Sequence, residues 1–260
     1  MVKLNKHYDD ADSQMRKFEE RKRLKSVEDK QVSSEVFDDK TLKVLYKLAN
    51  QGYLQSLNGV ISTGKEANVF LGVDDDENTV AVKIYRIVTL DFKKIHEYIA
   101  GDPRFKSHGG NKRQLITSWT QKEFKNLSRL YNIDARVPEP YTAKENVLVM
   151  EYLEHNENDA SAAVPLHKAK LDNAEEVFDE IIDFMDICYN KANLVHGDLS
   201  RYNILMSYNH PYIIDLSQAT LTSHPLARTL LERDINNIIY DAKKFNIDLT
   251  YDDIKERIIK

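Results

Sequence analysis

Apolar positions along the chain recur first at helical spacing, then at strand spacing, then at helical spacing again. Leu42, Leu45 and Leu48 repeat every third residue behind the polar pair Asp38-Asp39, and Gly52 follows, so the pattern predicts a capped helix that stops near Gly52. Three short β-rich runs come next: Val60-Ile61, Val69-Phe70-Leu71 and Val80 to Tyr85, the last two separated by the acidic turn 74–78. A helix-like piece over 90–100 leads into 101–114, where Gly101, Pro103, Gly109 and Gly110 stand beside Arg104, Lys106, Lys112 and Arg113. That mixture reads as a mobile loop. Trp119, Phe124, Leu127 and Leu130 give a helical period over 117–131, Pro138 and Pro140 break the chain, and 147–150 reads as a strand.

The second half begins as helix. Residues 174–190 place Val177, Phe178, Ile181, Phe184, Met185 and Cys188 on one apolar stripe. Two short strands, 204–205 and 212–214, precede a last helical region from Leu226. A β-rich part followed by a helical part predicts an α+β chain of two lobes with a cleft between them, residues 38–153 and 154–260. Residues 1–37 are densely charged with few large apolar side chains, and read as a solvated, partly helical extension.

Composition narrows the class. At 260 residues there is room for two small lobes or one larger domain. Apolar residues make up 42% and charged residues 30%, the mixture of an ordinary globular protein, and a net charge of −5 argues against nucleic-acid binding through overall charge. The single cysteine, Cys188, excludes an intramolecular disulfide, and its neighbours Met185 and Ile187 suggest a buried structural thiol. No apolar leader opens the chain and no run approaches the roughly 20 apolar residues of a membrane span. The expectation is a cytoplasmic protein that makes no membrane contact.

Candidate chemistry centres on His196-Gly197-Asp198-Leu199-Ser200-Arg201-Tyr202-Asn203, which matches the kinase pattern H-x-D-x-x-x-x-N. Phosphoryl transfer needs a carboxylate near the attacking hydroxyl and oxygen ligands for a metal ion, and Asp198 and Asn203 can supply both from one loop. Tyr212-Ile213-Ile214-Asp215, an apolar strand ending in a carboxylate, stands where kinases carry a metal-binding aspartate. Upstream, Ala81-Val82-Lys83 resembles the strand that presents the phosphate-contacting lysine, and Lys83 lies 14 residues after Val69. Ser62-Thr63-Gly64-Lys65-Glu66-Ala67-Asn68-Val69 then aligns with a glycine-rich phosphate loop in which Ser62 and Ala67 replace the outer glycines. A Walker loop is the competing reading of Gly59 to Lys65, and it fails because Glu66 stands where a hydroxyl must ligate magnesium. Two acidic partners for Lys83 remain open on spacing, Glu97 and Glu123, with Glu97 the ordinary one. Val147 to Leu153 looks like the strand and hinge that read adenine, with Met150 flanking the pocket and the backbone of Glu151 and Leu153 bonding the base.

Together the segments Ser62–Ala67, His196–Asn203 and Ile214-Asp215-Leu216-Ser217-Gln218 resemble the RIO family of atypical kinases, and its type-one subfamily in particular. Leu231-Glu232-Arg233-Asp234-Ile235 and Gly101-Asp102-Pro103-Arg104-Phe105 look like further type-one signatures, and the likeness runs from about residue 38 to the end. The resemblance implies a serine/threonine protein kinase, an ATPase, or both. Its cofactors would be ATP and magnesium, with manganese an alternative, and Glu123 rather than Glu97 would be the partner of Lys83. In the implied site Lys83 contacts the phosphates, Asn203 and Asp215 hold the metal, and Asp198 accepts the proton. Ser62, Thr63, Gly64, Lys65 and Glu66 line the phosphate loop. Gly197 replaces the arginine that answers a phosphorylated activation loop, and Ser200 replaces a phosphate-contacting lysine. Only 45 residues follow Asp215, with no Ala-Pro-Glu motif, so peptide-binding machinery is expected to be reduced. The likeness further implies autophosphorylation, for which Ser107 is one available hydroxyl, ATP hydrolysis through a phosphoaspartate on Asp215, and a role in small ribosomal subunit maturation, with ribosomal protein or rRNA as partner. Two other readings compete: a small-molecule kinase of aminoglycoside or choline type, and a nucleotide-dependent assembly clamp with little turnover. No oligomeric state follows.

Overall fold

The computed structural model describes residues 37–87, 91–105, 111–157 and 159–259. The expected extension, apart from Phe37, lies outside those residues, as do Lys106, Ser107, Gly109 and Gly110. The chain divides into two compact units, one formed by the residues up to Leu90 with Tyr141–Met150, the other by Asp91–Pro140 with Glu151–Lys260. The division therefore falls elsewhere than at residue 153: the segment 91–140, which the sequence places in the first lobe, groups with the C-terminal half.

In the first unit, helix α1 (Asp39–Ala49) starts where the Asp38 carboxylate accepts the Thr41 N–H at 2.7 Å. Gly52 follows with φ +83°, a left-handed conformation that suits glycine at a helix exit. Strands β1 (Ser56–Thr63), β2 (Ala67–Val73), β3 (Thr79–Tyr85), β4 (Pro140–Lys144) and β5 (Val147–Glu151) form one sheet in the order β1-β2-β3-β5-β4. β2 alternates buried and half-buried residues, whereas Val80 to Tyr85 of β3 is buried throughout, as befits a central strand covered on both faces. Val44, Leu45 and Leu48 of α1 pack with Phe70, Val82, Ile84, Val147 and Val149 into one core. β1 is longer than its apolar pair Val60-Ile61 suggested and carries register shifts on both sides of Val60.

The second unit opens with α2 (Phe92–Ala100) and α3 (Lys112–Tyr131). The Asn111 side chain accepts the Gln114 N–H while the Gln114 side chain accepts the Asn111 N–H, a reciprocal cap that starts α3 five residues before the expected Thr117. The segment expected to be a loop to Gln114 is therefore helical from Lys112. Further on lie β6 (Glu154–Asn156), β7 (Asp159–Ala162), β8 (Val164–Pro165), a 3₁₀ turn (Leu166–Lys168) and α4 (Ala174–Asp186), which continues as a π turn over Ile187–Lys191. β9 (Leu194–Val195), β10 (Ile204–Ser207), β11 (His210–Ile213), β12 (Thr220–Leu221), α5 (Ala227–Lys243) and α6 (Tyr251–Ile258) complete it. The short strands pair as β11-β10-β8, β12-β9 and β6-β7. All six residues of the expected α4 stripe, Cys188 included, are buried, and Phe178 meets Phe245 at 5.6 Å between ring centres. Burial pushes the Cys188 thiol far up, which leaves it inert. Among the described residues, no helix is long and apolar enough to cross a membrane.

Candidate active site

The loop 196–203 hangs on one face of α5. Asp234 accepts the Gly197 N–H on one carboxylate oxygen at 2.7 Å and the Leu199 N–H on the other at 2.9 Å. Three residues on, Asn237 donates to the Leu199 carbonyl at 3.0 Å, and after another turn Asp241 accepts the Arg201 N–H at 2.7 Å. Helical periodicity explains why three polar side chains of α5 can hold one loop. Asp234 is 1% exposed, and its burial pushes the carboxyl up to about 7 although both backbone donors favour the charged form. Gly197 takes φ +80°, which the tight backbone there requires: a Cβ would stand 3.2 Å from the Gln218 carbonyl oxygen. His196 accepts the Asp198 N–H at Nδ1 (3.2 Å), so its Nε2 carries the proton and donates to the Ile214 carbonyl at 3.1 Å. That pair of bonds ties the loop to the end of β11.

Asp198, Asn203 and Asp215 come together in this unit. Asn203 donates to the Asp198 backbone carbonyl at 2.8 Å through its amide nitrogen, and its backbone carbonyl accepts the Ile214 N–H at 3.0 Å. Asp215, half-buried, holds φ +60°, an uncommon state for a residue with a side chain, and accepts a hydrogen bond from the Ser217 hydroxyl at 2.8 Å. The turn after it is fixed from α3. Lys122, fully buried, donates to the carbonyls of Ser217, at 2.9 Å, and of Ala219, and Asn126 donates to those of Leu216 (2.9 Å) and Ala219 (3.0 Å). Burial lowers the Lys122 ammonium to about 7, with Asp102 opposing. Gln218 donates to the Asp198 carboxylate at 3.0 Å and accepts from the Tyr98 hydroxyl at 3.1 Å, while Arg233 reaches the other Asp198 oxygen at 3.9 Å. Lys122, Asn126 and Tyr98 were not singled out by spacing, each being a lone residue far along the chain from the loop it serves, and Arg233 and Asp234, like Gln218, appeared only within a motif and without a role.

Among the described residues, no group of three or more His, Cys, Asp or Glu side chains could hold a metal. A magnesium ion brought in by a nucleotide does not need one, because it keeps waters and phosphate oxygens and asks one or two protein oxygens of the site. The Asp215 carboxylate and the Asn203 amide oxygen, whose amide nitrogen is already engaged, are the oxygens that fit that requirement.

The remaining candidates divide between the units. Lys83 is a central residue of β3, opposite Val69 on β2, and only 6% exposed. Ser62 and Thr63 end β1, and the connection to β2 closes when the Gly64 N–H donates to the Ala67 carbonyl at 2.9 Å; Lys65 is exposed and Glu66 half-buried. Of the two acidic candidates, both in the second unit, Glu97 is exposed and Glu123 is 1% exposed. At the hinge, Met150 and Leu153 are buried. The Glu151 N–H is spent on the Glu139 carbonyl at 2.8 Å, and the Leu153 carbonyl on the Ala163 N–H at 2.8 Å. Burial raises the Glu151 carboxyl, which accepts the Glu139 N–H.

An α+β chain with a carboxylate loop slung from a helix and an aspartate just past a strand end belongs to the protein-kinase-like phosphotransferases. Comparison with known proteins supports this. Residues 68–254 match the family model described as RIO domain. The RIO-type serine/threonine-protein kinase Rio1 of Haloferax volcanii is 39% identical over 93% of this chain and 82% of its own length, and that of Methanocaldococcus jannaschii is 39% identical over 91% and 80%. The serine/threonine-protein kinase RIO1 of Homo sapiens is 36% identical, but the chain covers only 38% of it. A crystal structure of the Rio2 kinase-ADP/Mg2+-phosphoaspartate complex from Chaetomium thermophilum shares the fold with a TM-score of 0.63 at 22% identity, over 85% of this chain and 66% of that one. The chain belongs to the RIO family, on its type-one branch.

Proposed function

We propose that the chain transfers the γ-phosphoryl group of Mg-ATP to a hydroxyl, with Asp198 accepting the hydroxyl proton. The observation that carries this reading is the arrangement around Asp198. Gln218 and the Asn203 amide fix the loop while the carboxylate itself remains half-buried within reach of solvent. Asn203 and Asp215 would hold magnesium, which when bound offsets charge on the phosphates. Lys83 would contact the phosphates and Glu123 would be its partner; a carboxylate 1% exposed needs a cation or donors to be stable there. Ser62 to Glu66 would line the phosphates. The Glu151 carbonyl and the Leu153 N–H would bond the adenine edge, since the other two backbone groups are already used.

Asp215 would also serve as a nucleophile. Its carboxylate oxygen would attack the γ-phosphorus, the bond to the bridging oxygen would break, and ADP would leave with the electron pair. Water would then release phosphate from the acyl phosphate. The Chaetomium complex, named for ADP, magnesium and phosphoaspartate, favours including this route. Hydroxylamine distinguishes the two, since it strips an acyl phosphate and leaves a phosphoserine. Autophosphorylation, with Ser107 as one acceptor, and action on small ribosomal subunit precursors in the cytoplasm rest on family membership. Manganese would replace magnesium at the same oxygens. Of the basic residues in 101–114 that would face rRNA, Arg104 is instead paired with buried Asp102 at 2.6 Å.

Steady-state ATP hydrolysis, with and without small ribosomal subunits, tests the reading in wild type, Asp198→Ala and Asp215→Ala. Both substitutions should abolish turnover, and subunits should raise the wild-type rate. An Asp198→Ala protein as active as wild type would sink the assignment.

A further inference from the structure

We infer that Arg233 supplies the positive charge at the transferring phosphoryl group that the catalytic loop itself lacks, and that Tyr98 and Gln218 are positioning residues that hold Asp198 beside it. The inference rests on the proposed role of Asp198.

Charge builds on the phosphoryl oxygens as phosphoryl transfer proceeds, and an arginine at that point is worth about 10³–10⁵ in rate. Within the loop the candidates fail. Ser200 carries no charge, and Arg201 is turned away, 3.5 Å from Asp241 and stacked 5.1 Å from the Tyr202 ring centre and 5.9 Å from that of Tyr240. Lys122 is buried and committed to the Ser217 and Ala219 carbonyls. Arg233 remains. Its guanidinium lies 3.9 Å from Asp198, with 42% of its side chain exposed. Its helix cannot drift, because the next residue, Asp234, holds the loop by two backbone bonds.

Three contacts converge here: Gln218 donates to one oxygen of Asp198, Tyr98 donates to Gln218, and Arg233 faces the second oxygen of Asp198. Tyr98 and Gln218 are buried, at 4% and 7% exposed, so their bonds are shielded from water and fix the Gln218 amide with its donor toward Asp198. The Arg233–Asp198 contact is loose: a half-exposed pair at that distance contributes little. A cation held near the base but weakly satisfied can turn to a phosphoryl oxygen and bind it more strongly in the transition state than before it.

In the step itself the substrate oxygen bonds to the γ-phosphorus and its proton passes to Asp198. The bond from phosphorus to the bridging oxygen breaks, and ADP leaves with the electron pair. Arg233 neither gives nor takes a proton, since guanidinium stays charged.

Turnover of Arg233→Ala provides the test. We expect kcat to fall at least about 100-fold, ADP affinity to stay unchanged because ADP lacks the γ-phosphoryl group, and added guanidinium to restore part of the rate where urea does not. Tyr98→Phe should lower kcat about tenfold, the order of one lost hydrogen bond, without changing the KM for ATP. A folded Arg233→Ala protein with wild-type turnover, beside an inactive Asp198→Ala, overturns this inference alone. If Asp198→Ala is also active, the underlying reading falls instead. Loss of ADP affinity together with kcat, unrelieved by guanidinium, overturns the inference by making Arg233 structural. Should Arg233→Ala not fold, Arg233→Lys and Arg233→Gln decide: the charged variant should be clearly faster, and equal rates overturn the proposal.

Discussion

Two neighbouring parts of the site use left-handed backbone, and only one of them is glycine. Gly197 sits at φ +80° with the Gln218 carbonyl 3.2 Å from where a Cβ would be. Gly197→Ala should therefore cost about 1–2 kcal/mol for the conformation alone, with an added cost because backbone cannot yield as a side chain could. Asp215 holds φ +60° with its carboxylate intact. At that position Asp215→Gly should be more stable than Asp215→Ala by about 1 kcal/mol, and both should be inactive. Urea unfolding of the pair checks it, and equal midpoints would count against strain. Asp234 adds a pH dependence. Its folded carboxyl, raised to about 7 by burial, binds a proton that the unfolded chain releases near 3.9. Its contribution is thus full below about pH 4 and fades as pH rises toward and past 7. Asp234→Asn should flatten the wild-type decline in stability between about pH 5 and about pH 8. It should also cost about 1–3 kcal/mol, because an amide presents a donor to one of two backbone donors. Identical slopes in the two proteins would refute the assignment.

At the scale of elements, α3 does more than cover a core. Lys122 and Asn126 place four donated bonds on the turn 216–219, directly after the metal-site candidate. Lys122→Met fills a similar volume but leaves the Ser217 and Ala219 carbonyls short of a partner, so stability should drop by about 1–3 kcal/mol. The rise in KM for ATP should exceed that of a surface variant such as Lys125→Met; unchanged unfolding and kinetics would remove α3 from the site. Lys122 also marks where the sequence could be read and where it could not. Asp198, Asn203, Asp215 and Lys83 could be picked out as candidates because their spacing is local and chemically demanding. The α1 cap and the α4 stripe were visible because periodicity is local too. Lys122 and Asn126 stand between the apolar positions of this helix and are nevertheless buried, since their partners lie 90 or more residues away. Asn111 and Gln114 were hidden for another reason. A capping box needs two side chains to reach back onto each other's backbone, and glycine and charge around them resembled a loop.

For the molecule as a whole, Lys83 belongs to one compact unit and Asn203 and Asp215 to the other. A ligand that depends on both should link their stabilities by mass action. Mg-ADP at about 100 times its dissociation constant should add about 2.7 kcal/mol, which raises the unfolding temperature by roughly 5–10 °C for a chain of this size. Lys83→Met and Asp215→Asn should each lose most of that rise at the same ADP concentration, although they are in different units. Asp198→Ala should keep it, because its partner is the substrate hydroxyl and not the nucleotide. Thermal melts of the four proteins, with and without Mg-ADP, separate these outcomes. A full rise in Lys83→Met would mean that the second unit binds nucleotide alone and that the lysine on β3 serves the sheet. A rise lost in Asp198→Ala would mean that the carboxylate organises the phosphate site, and the proton would have to be taken by another group.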